Sequence, residues 1–217
     1  MGDEVSTTPA QDIAAELRQQ ILAAKLEPGT PVDDAGLAAE LDTDPETLQD
    51  AFTALAAEGL LETLPDKTRR IAIVDNHHAI QLLDVLEVVL VALFERAAPQ
   101  IGRSGVAAMR SRALELEATI GRGDMPGSYR ALLGLIRIIL DSAEHDELRA
   151  VNEYVLARSL GRLYLYRRAE LYFIWTDGWK ESVALLEADE PDAAVRRLRQ
   201  AFWILTEELR AGSSADA

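Results

Sequence analysis

Apolar residues recur every three or four positions along most of the chain, the spacing that places them on one face of a helix. "AQDIAAELRQQILAAKL" (10–26) has this pattern and stops before the pair Pro28-Gly29. "DDAGLAAEL" (33–41) repeats it over a shorter segment. A third segment, 45–58, has proline in its first helical position and a glycine directly after it. The pattern predicts three short helices.

A different pattern follows the third helix. "LLETL" and "RRIAIV" are rich in β-forming residues and flank "PDKT", a combination typical of a hairpin. Three short helices followed by a hairpin predict a winged helix-turn-helix domain over residues 9–75, with a small two-stranded wing.

From residue 76 onward the helical period returns in longer segments that are separated by Gly, Pro or Asp-rich breaks. A bundle of six helices is the architecture that such segments favour, so we expect a mainly α protein whose second domain, 76–211, is all-helical. The polar ends, 1–8 and 212–217, are predicted to be disordered tails. The six predicted helices cover 77–101, 104–121, 127–143, 146–166, 169–188 and 191–211.

Composition restricts the function. The 217 residues include no cysteine, which excludes disulfides, thiolate zinc sites and thiol catalysis. The acidic, polar start does not resemble a secretory signal, and the apolar run "VLEVVLVALF" (85–94) is too short to span a bilayer. No nucleophile elbow, zinc-binding helix or Gly-rich phosphate loop occurs. We therefore expect a soluble cytoplasmic protein that is not an enzyme and needs no cofactor.

The net charge of −15 is concentrated at one end. The first 75 residues contain sixteen acidic and five basic residues, an excess of eleven negative charges. The acidity therefore lies in the domain whose predicted fold is typical of DNA binding, although DNA affinity depends on cations that neutralise phosphates.

The stretches "ILAAKLEPGTPV", "LAAEL" and "ALAAEGLLETL" resemble the GntR superfamily of bacterial regulators, FadR subgroup. The resemblance implies a winged-helix head followed by an FCD-type helical effector domain. It also implies a homodimer that binds palindromic operator DNA and responds to a small metabolite.

The recognition helix departs from the family pattern, which resembles Ser-Arg-Thr-Pro-Val-Arg-Glu-Ala-Leu. Asp44 stands at the serine, Pro45 at the first arginine and Gln49 at the second, so both arginines are absent. We expect weak or altered DNA binding, because an acidic helix is repelled by phosphates. Alternatively, the basic turn of the wing pairs with the acidic head instead of with DNA. The candidate DNA-contacting residues are Thr47, Gln49, Lys67, Thr68, Arg69 and Arg70.

The resemblance also implies a metal site of one Asp and three His in many FCD domains, and the matching positions here hold Leu132, Ile136, Trp179 and Ala201. No metal site is therefore expected. Val89 matches the position of the effector-contacting arginine. The expected pocket is apolar and suits a hydrophobic small-molecule effector, unless the same side chains simply fill the core. The candidate pocket residues are Val89, Leu132, Ile136, Trp175, Trp179 and Ala201.

Three further interpretations depend on the sequence. The acidic head could instead be a protein-interaction surface in a chain that has lost DNA binding. The stretch "RSLGRLYLYRRAELYFIWTDGW" favours a bundle helix with an Arg-lined surface over a nucleic-acid site, and its arginines interleaved with aromatic residues are Arg158, Arg162, Arg167 and Arg168. Among the three histidines, His77 and His78 are predicted to start a helix and His145 to end one.

Overall fold

The computed structural model describes residues 8–166 and 168–213, and residues 1–7, 167 and 214–217 of the predicted loop and tails lie outside it. Thr8 caps the first helix through a reciprocal pair of hydrogen bonds with Gln11. The head contains three helices and an antiparallel hairpin, which confirms the predicted winged helix. Its elements are α1 (Pro9–Leu22), α2 (Asp34–Glu40), α3 (Pro45–Ala57), β1 (Leu61–Thr63) and β2 (Arg69–Ile71).

The first helix ends at Leu22, four residues before the predicted end at 26. Ala24 adopts a left-handed conformation with φ of 64°, and the Lys25 N–H then donates to the Gln20 carbonyl at 2.9 Å. This is the closing hydrogen bond of a Schellman motif, here formed without the usual glycine. The remaining predicted residues form a turn that leads to Pro28 and the loop before α2.

The third helix ends as predicted, with Gly59 in the left-handed conformation at φ of 71°. The Leu60 N–H donates to the Leu55 carbonyl at 2.9 Å, which closes the helix. Leu48, Phe52 and Leu55 are buried on the inner face of α3, so the apolar positions of the sequence do specify how this helix packs.

The second domain contains the six predicted helices, whose bounds differ from prediction by at most four residues. α4 packs against α7 and α9, while α5 packs against α6 and α8. α9 continues through Gly212 to Ser213, beyond its predicted end at 211. The helices are α4 (Asn76–Ala97), α5 (Arg103–Gly121), α6 (Met125–Ser142), α7 (Asp146–Leu165), α8 (Ala169–Glu187) and α9 (Pro191–Ser213).

His77 and His78 lie in the first turn of α4, as predicted. The prediction for His145 is wrong, because this residue begins α7 instead of ending α6. α6 ends at Ser142, and Glu144 reverses the chain in a left-handed conformation with φ of 42°. The His145 ring nitrogen Nδ1 then accepts a hydrogen bond from the Leu148 N–H at 3.2 Å, the role of an N-cap.

The apolar run at 85–94 belongs to a longer helical segment than its length suggests. A short 3₁₀ turn extends α4 to Gln100, and the segment Asn76–Gln100 is long and apolar enough to cross a membrane by length and composition alone. In this structure one side of α4 forms the centre of the bundle, where Leu86, Leu90 and Phe94 are fully buried.

Candidate DNA-binding surface and effector cavity

The N-terminus of α3 is capped by an acidic side chain. Asp44 accepts hydrogen bonds at 2.9 Å from the backbone N–H groups of Glu46 and Thr47, and at 2.7 Å from the Thr47 hydroxyl. The hydrogen bonds from Thr47 hold the pKa of Asp44 below its usual value. A helix N-terminus ordinarily attracts phosphate, but here a carboxylate already occupies its free N–H groups. The predicted contact residue Thr47 is therefore engaged within the cap.

Arg69, at the start of β2, links the wing to both α2 and α3. Its Nη1 forms a very short ion pair with Asp34 Oδ2, and its Nη2 donates to Gln49 Oε1 at 2.6 Å. Gln49 Nε2 also donates to Asp34 at 3.3 Å, which closes a ring of three side chains. The guanidinium lies 5.1 Å from the centre of the Phe52 ring, a cation–π distance. Two predicted DNA-contacting residues thus bind each other and an acid.

The other two cations of the wing differ in whether they form an ion pair. Arg70 lies opposite Glu62 in the hairpin register and pairs with its carboxylate at 2.9 Å. Lys67 stands at the wing tip and makes no ion pair with any residue that the structure describes. Of the three predicted wing cations, Lys67 alone is therefore available for a phosphate without displacing an internal partner.

The wing tip closes without glycine. Lys67 adopts the left-handed conformation at φ of 68°, and its N–H donates to the Leu64 carbonyl at 2.9 Å. Asp66 accepts hydrogen bonds from both the Thr68 N–H and the Thr68 hydroxyl, which lower the pKa of Asp66. The predicted contact residue Thr68 therefore stabilises the turn, and an acid lies beside the free lysine.

The head faces the helical domain across a groove, and a part-buried ion pair within the head lines one side of this groove. Arg18 on α1 donates to both carboxylate oxygens of Glu58, at 2.7 and 2.5 Å, and the hydrogen bonds to Glu58 raise the pKa of Arg18. A cleft of about 540 Å³ separates this pair from α6 and α7, and Ile136, a predicted pocket residue, lines this cleft. Arg162 packs against Gly59, so this arginine contributes to the contact between the domains.

The predicted effector pocket is filled with side chains at its centre. Trp179 is fully buried, with its ring 5.7 Å from that of Trp175 and 6.2 Å from that of Phe94. Ala201 is also fully buried, and its Cβ lies 2.5 Å from the position that a Cβ on Gly178 would take. α8 and α9 therefore touch closely at this level, as in a packed core.

Only two of the six predicted pocket residues, Leu132 and Trp175, line the same cavity. This cavity measures about 60 Å³, well below the several hundred Å³ of typical ligand pockets. Val89 is half-buried on α4, where its carbonyl accepts a hydrogen bond from Asn152 Nδ2 at 3.1 Å. The cavity walls also include residues that the resemblance did not indicate: Ala79, Leu83, Leu160, Leu163, Tyr164, Tyr166, Leu171, Tyr172, Leu205 and Leu209.

Tyrosines give the cavity its polar edge. The Tyr164 hydroxyl accepts from Ser128 Oγ at 3.2 Å, and burial raises the pKa of Tyr164 well above its usual value. The Tyr166 hydroxyl donates to Asn76 Oδ1 at 2.6 Å, beside the start of α4. The aromatic stretch around 164–175 was the only feature of the sequence that pointed to these cavity residues. Its periodicity does not indicate which rings face a cavity. Among the described residues, no three His, Asp or Glu side chains form a group able to hold a metal.

Comparisons with known proteins identify the head. Residues 9–70 match the family model described as bacterial regulatory proteins, gntR family. No curated protein matches the chain.

Two solved structures share the fold across both domains. E. coli McbR/YncC is 16% identical over 96% of this chain and 100% of that chain, with a TM-score of 0.72. A GntR transcriptional regulator from Rhodococcus sp. RHA1 is 16% identical over 94% and 99%, with a TM-score of 0.77. The head therefore matches the gntR family model, and the chain as a whole shares the two-domain fold of these two structures.

Proposed function

We propose that this chain is a GntR-type transcriptional regulator of the FadR subgroup, a cytoplasmic, non-enzymatic homodimer that binds operator DNA weakly, mainly through the tips of its wings. The observation that carries this proposal is the pairing of the wing cations. Arg69 and Arg70 are each held by a carboxylate, whereas Lys67 is not. Phosphate contacts supply most of the non-specific affinity for DNA, so two engaged arginines out of three cations weaken the hold of each head.

The charge of the head acts in the same direction. Asp44 places a carboxylate at the N-terminus of α3, and Gln49, the side chain best suited to read adenine, is hydrogen-bonded to Arg69. DNA must therefore break the ring of Asp34, Gln49 and Arg69 before it gains a base contact. This requirement predicts weak binding. The affinity for DNA should depend steeply on salt concentration only if the arginines leave their carboxylate partners and contact phosphates.

The salt dependence of binding tests this proposal. We would measure fluorescence anisotropy of duplexes that tile the DNA upstream of the gene itself, over a range of salt concentrations. A dimer that uses only its two Lys67 side chains has a slope of about −2 in log K against log salt, while six released cations give about −5. Lys67→Ala should lower the affinity, whereas Lys25→Ala, which removes a head lysine outside the wing, should not. Absence of binding to every duplex at low salt contradicts the proposal.

We propose further that the helical domain senses a small apolar effector in the cavity beside Leu132 and Trp175. The cavity is lined by apolar and tyrosine side chains, which suit a compact hydrophobic molecule. Its volume of about 60 Å³ means that binding must push side chains apart.

Thermal unfolding with benzene, indole and octanoate distinguishes a sensor from a filled core. A rise in Tm of the wild-type protein supports the sensor, because a ligand that binds only the folded state stabilises it. Leu132→Ala enlarges the cavity and serves as a positive control for access. If that variant responds and the wild-type protein does not, the site is core and the sensor proposal fails.

A second candidate function is a chain that no longer binds DNA and uses its acidic head as a protein-interaction surface. The specific observation in its favour is that carboxylates already neutralise Arg69 and Arg70, which leaves exposed acids such as Glu46 and Asp50 on α3. Affinity capture with the intact chain tests it against a variant with Glu46→Gln and Asp50→Asn. A protein partner retained only by the wild-type chain supports this candidate, whereas recovery of nucleic acid alone contradicts it.

A further inference from the structure

Two glycines allow α7 of the helical domain to pack directly against the head. A Cβ on Gly161 would lie 3.1 Å from Leu60 Cδ2, and a Cβ on Gly59 would lie 2.5 Å from Arg162 Cδ. Each glycine therefore leaves room for a side chain of the other domain. As a result, the stem of Arg162 lies against the turn between α3 and β1, where the wing begins.

The charge of Arg162 is incompletely compensated. Its Nε atom is buried and has no hydrogen-bond partner among the residues that the structure describes. Burial lowers the pKa of the Arg162 guanidinium, the positive charge of Arg158 lowers it further, and the negative charge of Glu62 raises it. A buried donor without an acceptor costs free energy, so a carboxylate that reached Arg162 would stabilise it.

Glu62 on β1 is the carboxylate that has an oxygen to offer. Arg70 Nε and Nη2 both contact Oε2 of Glu62, each at 2.9 Å, so the second oxygen, Oε1, can accept from another donor. Glu58 is a poorer partner, because Arg18 already binds both of its carboxylate oxygens. Glu62 therefore holds one arginine of the wing while its charge also acts on an arginine of the helical domain.

We propose that Arg162 competes with Arg70 for Glu62 and is thereby a positioning residue that frees a wing cation for DNA. The inference rests on the proposed DNA contact through the wing, and it specifies how a second cation of each wing becomes available. As Arg70 turns to a phosphate, Glu62 passes to Arg162, so its carboxylate is not left unpaired beside the DNA. One ion pair replaces another, which lowers the cost of releasing Arg70.

This exchange would connect the helical domain to the charge of the wing. Arg162 lies on α7 between Leu160 and Leu163, and both leucines line the small cavity of the helical domain. A shift of α7 away from the head would withdraw Arg162 from Glu62 and leave Arg70 bound to its carboxylate. Displacement of α7 should therefore weaken DNA binding without any change in the recognition helix.

DNA titrations with the whole chain test the exchange. Arg162→Gln should lower the affinity by about threefold to tenfold, because Arg70 then leaves Glu62 unpaired when it contacts a phosphate. Arg162→Lys keeps the cation and should retain most of the affinity. Arg158→Gln is the matched control, since it removes the same charge one turn earlier on α7, and it should change the affinity by less than about twofold.

The salt dependence reports the number of cations that contact DNA. A dimer that uses Lys67 and Arg70 of both copies has a slope of about −4 in log K against log salt, and Arg162→Gln should reduce it towards about −2. Glu62→Gln frees Arg70 in every state and should raise the affinity. In that background, Arg162→Gln should have no further effect. Circular dichroism establishes that each variant is folded.

A measurement without DNA separates this inference from the proposed function. The Arg70 Nε–H donates to Glu62, so NMR can follow its exchange with water, and Arg70→Lys identifies the signal. Arg162→Gln removes the competitor and should slow this exchange by about twofold or more. Arg158→Gln should leave the exchange unchanged.

The outcomes distinguish the two failures. Unchanged exchange in Arg162→Gln overturns the inference, whether or not the chain binds DNA. The inference also fails if Arg158→Gln or Arg162→Lys loses as much affinity as Arg162→Gln, or if the loss persists in the Glu62→Gln background. Binding of no duplex by any variant contradicts the proposed DNA contact, and slower exchange in Arg162→Gln would then still support the competition for Glu62.

Discussion

The Nη2 group of Arg69 on the wing lies 2.6 Å from Oε1 of Gln49 on the recognition helix. The two side chains best suited to contact DNA are therefore hydrogen-bonded to each other, and Asp34 on α2 holds both. The head in this state is internally neutralised at the point where a GntR-type domain is expected to meet DNA.

Removal of the Asp34 charge should release this ring. Asp34→Asn is expected to tighten DNA binding about threefold to tenfold at low salt, because Arg69 then loses its ionic partner. Asp33→Asn removes the same charge from the neighbouring residue, which has no hydrogen bond or ion pair to Arg69 or Gln49. Anisotropy titrations of the two variants measure the difference. Equal tightening by both would mean that net charge alone, and not the ring, limits affinity.

Gly59 should not tolerate a side chain. Its φ of 71° is strained for any L-residue, and a Cβ there would lie 2.5 Å from Arg162 Cδ. Gly59→Ala is expected to lower the free energy of unfolding by about 1–3 kcal/mol. Gly121→Ala is the control, because Gly121 is helical and has open space around its Cβ position. Urea denaturation should show that this second variant is neutral or slightly more stable, and a similar loss in both would refute the explanation.

Trp179 should behave as a core residue. Trp179→Ala is expected to lower the free energy of unfolding by about 3–5 kcal/mol, because the ring is fully buried against Trp175 and Phe94. Phe173→Ala on the same helix removes an aromatic ring that is 56% exposed and should cost far less. Denaturant unfolding monitored by circular dichroism compares them. A loss below about 1 kcal/mol for Trp179→Ala would indicate a pocket wall instead of core.

The Asp44 cap should be sensitive to acid. Hydrogen bonds from Thr47 hold the pKa of Asp44 below its ordinary value, so the charged form is favoured in the folded state. Its stabilising effect is complete above the pKa of the unfolded chain and is lost as the pH falls through the lower folded pKa. Asp44→Asn retains an N-cap without this titration. The Tm difference, wild type minus variant, should therefore decrease below about pH 4, and a constant difference would contradict this origin.

Helical periodicity and end signals specified most of the fold. Pro45 and Gly59 mark the ends of α3 because their backbone preferences act locally. The end of α1 could not be predicted in this way, because alanine has no preference for the left-handed conformation that Ala24 adopts. The same applies to His145, whose role depends on where the chain reverses at Glu144.

The candidate sites were less predictable because they depend on distant partners. Arg69 and Asp34 are 35 positions apart, and only the folded head shows that they form an ion pair. In the helical domain, an apolar residue that lines a cavity has the same periodicity as one that fills the core. Leu132 lines the cavity and Trp179 does not, although the resemblance placed both in one pocket.

Only residues 72–75 connect the wing to α4, and their ends are fixed. Ala72 N–H donates to the Leu60 carbonyl at 2.9 Å, and Asp75 caps α4 through the His78 N–H at 2.8 Å. Because this connection is short and fixed at both ends, a change in the orientation of α4 would also move the wing. In the proposed homodimer, the orientation of α4 in each copy would therefore influence the distance between the two wing tips. The spacing of operator half-sites would then report that orientation.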